Sequence, residues 1–277
     1  MRLTEFLELT ESPAEVKKLK ADANSVNSDK SQKEVYNELI SMLTGKSYSD
    51  SVEFIDEIVK DEKLKFILSL GFGGKFSNTK LKLEKKNISV KRLIPTQNEI
   101  GFEETLKFIK EGKNVEKCYE DPVMIKHPIV TFQGNFIVDG HHRWSEIYVT
   151  NREAFVECVN IDGNLSPIEI LKAVQATIGS NTGDLKLKST KGENLLKSSE
   201  KKIRDYLSDI SESAKEKISK FARIKKTDVI DFLVKNAITL KANNSPILNA
   251  PSRGEMPQTS KDPDLFSDLK KGTTKVA

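Results

Sequence analysis

The chain has 277 residues, of which 37% are hydrophobic and 31% charged, and a formal net charge of +4. That length supports one large domain or two small ones with real cores, and the polar composition assigns part of the chain to exposed helix or disordered tail. The mild basic excess is compatible with nucleotide or nucleic-acid partners and requires neither. Cys118 and Cys158 lie far apart in no CxxC or Cys/His pattern, which argues against a disulfide framework or a zinc site. The N-terminus, Met1 to Phe6, lacks the apolar core of a signal peptide, and no run approaches membrane-spanning length. The sequence therefore predicts a soluble protein with no membrane partner, in the cytoplasm or inside a virion or other intracellular assembly.

Residues 1–80 read as a helical N-terminal subdomain. Ser12-Pro13-Ala14-Glu15 is a capping box with proline at the first helical position, followed by Val16 and Leu19 as the start of an apolar stripe. A second helix carries Val35, Leu39, Met42 and Leu43 and stops at Gly45. A third begins near Ser49-Asp50 with Val52, Ile55, Ile58 and Val59, and a fourth runs from Leu64 to Leu70. Gly71 to Ser77 has the glycines and lysine of a phosphate loop, but Phe76 separates Lys75 from Ser77, so the stretch is a connector.

Residues 81–180 change to an α+β pattern. Ile88 to Val90 reads as a strand, Pro95 to Ile100 as a polar turn, and Phe102, Leu106 and Ile109 as a helix. Pro122 to Ile125 reads as another strand. Ile129 to Phe132 and Phe136 to Val138 form a hairpin around Gln133-Gly134-Asn135. Asp139-Gly140-His141-His142-Arg143 then falls at a strand-to-helix junction, where free N–H groups and the helix dipole receive a phosphate or carboxylate. A plainer alternative is that Asp139 caps the helix and Arg143 pairs with an acid. The chain has three histidines, and two of them are adjacent here. His127, before Pro128, reads as a loop histidine. The strand Ala154 to Val159 completes a unit of about eighty residues, an ordinary size for a small domain.

A strand leading to a polar, proline-containing turn, a helix, a hairpin and then Val138-Asp139-Gly140-His141-His142-Arg143-Trp144 resembles the ParB/sulfiredoxin superfamily over Ile88 to Ile161. Gly140 to Arg143 fits that family's Gly-x-x-Arg turn. The resemblance implies a small mixed-sheet domain flanked by N- and C-terminal helical segments. Sulfiredoxin's cysteine is replaced by His141, which removes the thiolate its chemistry needs. The Glu-Arg-Arg of partition proteins is also missing. The His-His-Arg version is closer to the branch that includes a free-serine kinase, which implies a nucleoside tri- or diphosphate and Mg²⁺, with either hydrolysis or phosphoryl transfer to a small acceptor. On that reading Gln97, Gly140, His142 and Arg143 bind the nucleotide. His141, Asp139 and Glu99 are catalytic, with Glu99 as general base, and Asp139 and Glu99 contact the metal. The alternative is a non-enzymatic module that uses the fold for nucleic-acid or phage-assembly contacts.

Ser166-Pro167-Ile168-Glu169 caps a further helix carrying Leu171, Val174 and Ile178, and a polar linker extends to about Glu193. Residues 181–241 read as a basic helical segment, with one long charged helix from Asn194 to Phe221 and an apolar stripe at Val229, Phe232, Leu233 and Ile238. Its lysines fit a solvated or oligomerising face better than nucleic-acid contact, since few aromatics are interleaved. Residues 242–277, polar and proline-containing, are expected to be disordered when free and to dock on a protein assembly partner.

Overall fold

A computed structural model of the chain describes residues 14–70, 81–185, 187 and 192–271. Ser12-Pro13 and the Gly71 to Ser77 connector lie outside these residues. The N-terminal third holds α1 (Ala14–Asn24), α2 (Asp29–Gly45), α3 (Tyr48–Val59) and α4 (Glu62–Leu70). Serine caps fix two of their starts: Ser28 Oγ accepts from Ser31 N–H at 3.4 Å and Ser47 Oγ from Asp50 N–H at 3.2 Å, which satisfies donors the first turn leaves open.

The next part contains β1 (Lys82–Ser89), β2 (Ile94–Pro95), α5 (Phe102–Lys110), β3 (Ile129–Phe132), β4 (Phe136–Asp139), α6 (His141–Thr150), β5 (Phe155–Asp162) and α7 (Pro167–Thr182). The five strands form a mixed sheet in the order β1-β5-β3-β4-β2, so the fold class is α+β as expected. β3 and β4 are the predicted antiparallel hairpin. Gln133 and Gly134 turn at φ of 50° and 76°, a pair of positive values that matches the right-handed twist of the strands. β1 begins six residues before the expected strand, on a sheet edge where Lys82, Glu84, Lys85 and Lys86 carry charge; charged edges discourage strand addition, and they hide the strand from a search for apolar runs. Pro122 to Ile125 is not a strand. Only Val123 bridges β5, through Val123 N–H to Phe155 O at 2.7 Å and Glu157 N–H to Val123 O at 3.1 Å.

Beyond α7, whose Ser166 and Glu169 form the expected capping box, come α8 (Glu200–Leu207), α9 (Glu212–Ala222), α10 (Val229–Asn243) and α11 (Leu265–Lys271). The single long helix expected from Asn194 to Phe221 is therefore two. Ser199 and Ser211 each cap a new start, and Ile210 is buried in the break between them.

The sheet separates two cores. One face presents Val130, Phe132, Val138 and Ile161 to α1–α4, α7 and α11. The other presents Ile129, Ile137, Val156 and Cys158 to α5, α6 and α8–α10. Because the side chains of a strand alternate between faces, both the N-terminal helices and the basic helices pack on the same sheet. The sequence-pattern boundaries near residues 80 and 180 are thus boundaries between layers of one packed body.

The tail departs most from expectation. Met256, Leu265 and Leu269 are buried, and the strap between α10 and α11 is bonded along its length. Ile247 N–H donates to Pro95 O at 3.2 Å and Asn98 N–H to Pro251 O at 2.9 Å. Arg253 pairs with Glu104 at 2.5 Å, and Tyr48 and Gln175 both donate to Glu255 O. Few apolar residues anchor this segment, and its backbone and polar groups make most of the attachments.

Candidate functional site

The predicted junction is where the sequence put it. β4 ends at Asp139, Gly140 is the N-cap of α6 at φ 103°, and His141, His142 and Arg143 form the first turn. A side chain at position 140 would take on a left-handed backbone, and its Cβ would sit 3.2 Å from Ile129 Cα and 2.9 Å from the Arg143 guanidinium. Glycine is therefore required both by conformation and by the close approach of Arg143.

The two histidines do not act together. His141 is 4% exposed, and its Nε2 accepts from Thr96 N–H at 3.1 Å, so the ring is a neutral acceptor with its proton on Nδ1. Burial, followed by the charges of His142 and Arg143, holds its pKa well below the usual range. This overturns a catalytic or phosphate-holding His141, since a buried neutral ring bonded inward offers no cation to a ligand. Its place is with Trp144, Ser145 and Tyr148 on the inward face of α6. His142 Nε2 accepts from Gly101 N–H at 3.3 Å. Together these bonds clamp the segment from Thr96 to Gly101 against the first turn of the helix. Gln97 is buried in that segment and donates to Glu99 O at 2.6 Å. It is a loop-shaping residue. The Glu99 carboxylate is half-buried and makes no hydrogen bond or ion pair among the described residues.

Arg143 lies between two cavities. One, of about 190 Å³, is bounded by Arg143, His127 and Pro128 and closed by Thr259, Asp262 and Phe266 of the tail. The other, of about 210 Å³, has Arg143 and Glu146 on one wall and Asn114, Lys117, Lys126 and His127 around it. Arg143 Nη2 donates to Pro128 O at 3.2 Å and lies 3.7 Å from Asp139 Oδ1, so the plainer alternative of an acidic partner is met at the edge of ion-pair range. Its Nε is buried with no hydrogen-bond partner, as is Glu146 Oε1. A buried polar atom left unpaired costs about 1–3 kcal/mol, so two of them three residues apart on α6 mark this face as unfinished. Burial holds the Glu146 carboxyl up at about 7, against an opposing hydrogen bond from Asn114. Cys118 lines the same cavity, and burial, with the nearby Glu146 carboxylate, pushes its thiol up to about 12, which leaves no thiolate there for sulfur chemistry.

Glu146, Lys117, Lys126 and the role of His127 were missed from the sequence. The signal for Glu146 was present, since positions 143 and 146 share a helix face while 141, 144, 145 and 148 form an apolar stripe that includes His141. Lys117 opens a one-turn 3-10 helix and Lys126 stands in a loop, stretches too short to show a period.

Asp139 faces the tail. Its Oδ2 accepts from Thr259 N–H at 3.2 Å and Thr259 Oγ1 at 2.7 Å. Among the described residues no group of three His, Cys, Asp or Glu side chains converges as a metal cage, and none joins Asp139 to Glu99. Asp139 Oδ1 lies 3.7 Å from Arg143 Nη2, so both carboxylate oxygens face groups of the chain itself.

The basic helices are laced with ion pairs. Arg204 meets Glu200 and Asp231, Lys226 meets Glu212 and Glu216, and Lys217 meets Glu116. This is a balanced solvated face. Among the described residues no helix is long and apolar enough to cross a membrane. No family model, curated protein or solved structure matches the chain.

Proposed function

We propose that the chain binds a nucleoside tri- or diphosphate with its phosphates at the Arg143 end of α6 and passes the terminal phosphoryl group to a small acceptor or to water. The observation that carries this reading is the Arg143 guanidinium, held in the first turn behind Gly140, lining two cavities and keeping a buried N–H unpaired. A guanidinium that lines two cavities suits phosphate oxygens. The likeness of Gly140 to Arg143 to the ParB/sulfiredoxin turn supports the same ligand. His142 keeps the Glu99 segment against the helix start, and His141 holds the fold.

A second reading, a non-enzymatic module for nucleic-acid or assembly contacts, is favoured by one observation: Glu99, the expected base, lines neither cavity that Arg143 lines. Calorimetry of the full chain with ATP, ADP, CTP and GTP, with and without Mg²⁺, separates the two. Saturable binding of at least one nucleotide is expected, and binding of none moves the assignment to the assembly module.

A further inference from the structure

The strap between α10 and α11 stands over the start of α6. Thr259 donates both its N–H and its hydroxyl to Asp139 Oδ2, immediately ahead of the Gly140 turn. Thr259, Asp262, Pro263 and Phe266 then close the cavity that Arg143 shares with His127. That cavity has about 190 Å³, below the roughly 300–1,000 Å³ of ordinary small-molecule sites. With the strap seated, a base, a sugar and a chain of phosphates have no room at this end of the helix. The strap's own hold is light. Between Ser245 and Asp264 its buried side chains, prolines apart, are Met256, Thr259 and Asp262. Much of its attachment comes from hydrogen bonds such as Asn98 N–H to Pro251 O, and from the Arg253–Glu104 pair. Such bonds exchange with water at little net cost, whereas Leu240 at one end of the strap and Leu265 and Leu269 at the other are fully buried. The middle can therefore open locally while both ends stay docked.

We infer that the strap is a built-in competitor for the Arg143 end of α6: seated, it shuts the site, and it lifts when a phosphate-bearing ligand binds. The inference rests on the phosphate-binding reading above and adds its regulation. Because ligand and strap exclude each other, the apparent affinity is the intrinsic affinity scaled by the fraction of molecules with the strap lifted. By reciprocity, the ligand lifts the strap by the same factor as the strap weakens the ligand. Neither Arg253 nor Glu104 lines a cavity with Arg143, so breaking their pair loosens the strap without touching a ligand there. Thr259 does line one, and the sign of its effect separates the two roles: a ligand contact weakens binding when removed, and a latch strengthens it.

The test is calorimetry of the full chain with ATP, and separately with inorganic tripolyphosphate, on the wild type, Thr259→Val and Arg253→Ala. Thr259→Val should bind ATP about tenfold more tightly, the usual worth of a hydrogen bond to a carboxylate. Arg253→Ala should gain about twofold to fivefold, the range for a partly exposed ion pair, and it carries the test if Thr259→Val fails to fold. Trypsin reports the strap directly: cleavage after Arg253 should quicken in Thr259→Val without ligand, and in the wild type when ATP is saturating. Unchanged or weaker ATP binding in both variants, or ATP that protects Arg253 from trypsin, would overturn the strap and leave the nucleotide reading standing. Tripolyphosphate that binds the variants more tightly than the wild type, with no nucleotide binding any of the three, would do the reverse. Binding of neither probe to any of the three proteins would sink both.

Discussion

The two faces of α6 obey opposite rules. On the inward face His141 is bonded to Thr96 N–H, Trp144 donates to Val90 O at 2.9 Å, and the Ser145 hydroxyl lies 2.7 Å from Thr105 Oγ1. Each of these bonds ties the helix to a different segment. On the cavity face, one turn of the same helix leaves Arg143 Nε and Glu146 Oε1 buried and unpaired. Helix propensity and apolar packing hold both faces, so the difference lies in hydrogen-bond completion. Complete buried polar groups specify the fold, and incomplete ones are where a protein retains a cost that a ligand can relieve. The motif His141-His142-Arg143 crosses from one regime to the other within three residues.

The sharpest way to break this comparison is His141→Ala. It leaves Thr96 N–H without an acceptor and opens a void, so unfolding in urea should show a loss of about 2–4 kcal/mol with the nucleotide affinity of the folded fraction unchanged. A selective loss of affinity at unchanged stability would put His141 on the ligand side.

Glu146→Gln sharpens the other side through pH. The folded carboxyl holds its proton up to about 7 while the ordinary value is 4.5, so the folded state binds the proton more tightly. That contribution is present below pH 4.5 and is lost as pH rises through 7. Relative to Glu146→Gln, the wild type should lose on the order of 2–3 kcal/mol across this window, measured by urea melts at several pH values. A flat difference would mean that the carboxyl is solvated and the cavity face is not unfinished.

Glu99→Gln should do least, changing stability by less than about 0.5 kcal/mol, the usual size at a half-exposed site free of contacts. If phosphoryl transfer is observed, its rate should be little changed in Glu99→Gln, because Glu99 lines neither cavity beside Arg143. A rate that collapses in this variant would restore Glu99 as the base.

Where local pattern determines structure, the sequence was readable. Gln133-Gly134 announced the hairpin, Gly140 the junction, and the stripe from Val52 to Val59 a buried helix. What escaped is set by contacts distant in sequence. Thr259 reaches Asp139 and Arg253 reaches Glu104 through polar and backbone groups that carry no periodic signature, so composition alone made the tail look disordered. The site was half legible for the same reason. Arg143 stands out beside a glycine turn, whereas its cavity partners Lys117, Lys126 and His127 come from a one-turn 3-10 helix and a loop that only the fold brings together. His141 was misassigned because motif reading took precedence over the helical period that places it with Trp144 and Tyr148.

The central claim is that Arg143 faces a phosphate-bearing ligand while its neighbours hold the fold. Titration of ATP into wild type and Arg143→Ala at equal folded fraction tests it most directly. Removing charge-assisted hydrogen bonds worth roughly 1.5–3 kcal/mol should lower the affinity on the order of tenfold to a hundredfold, with thermal stability little changed. Equal ATP affinity in the two proteins, or a variant that unfolds while its folded remainder binds as tightly as wild type, would make Arg143 a structural residue and contradict the account.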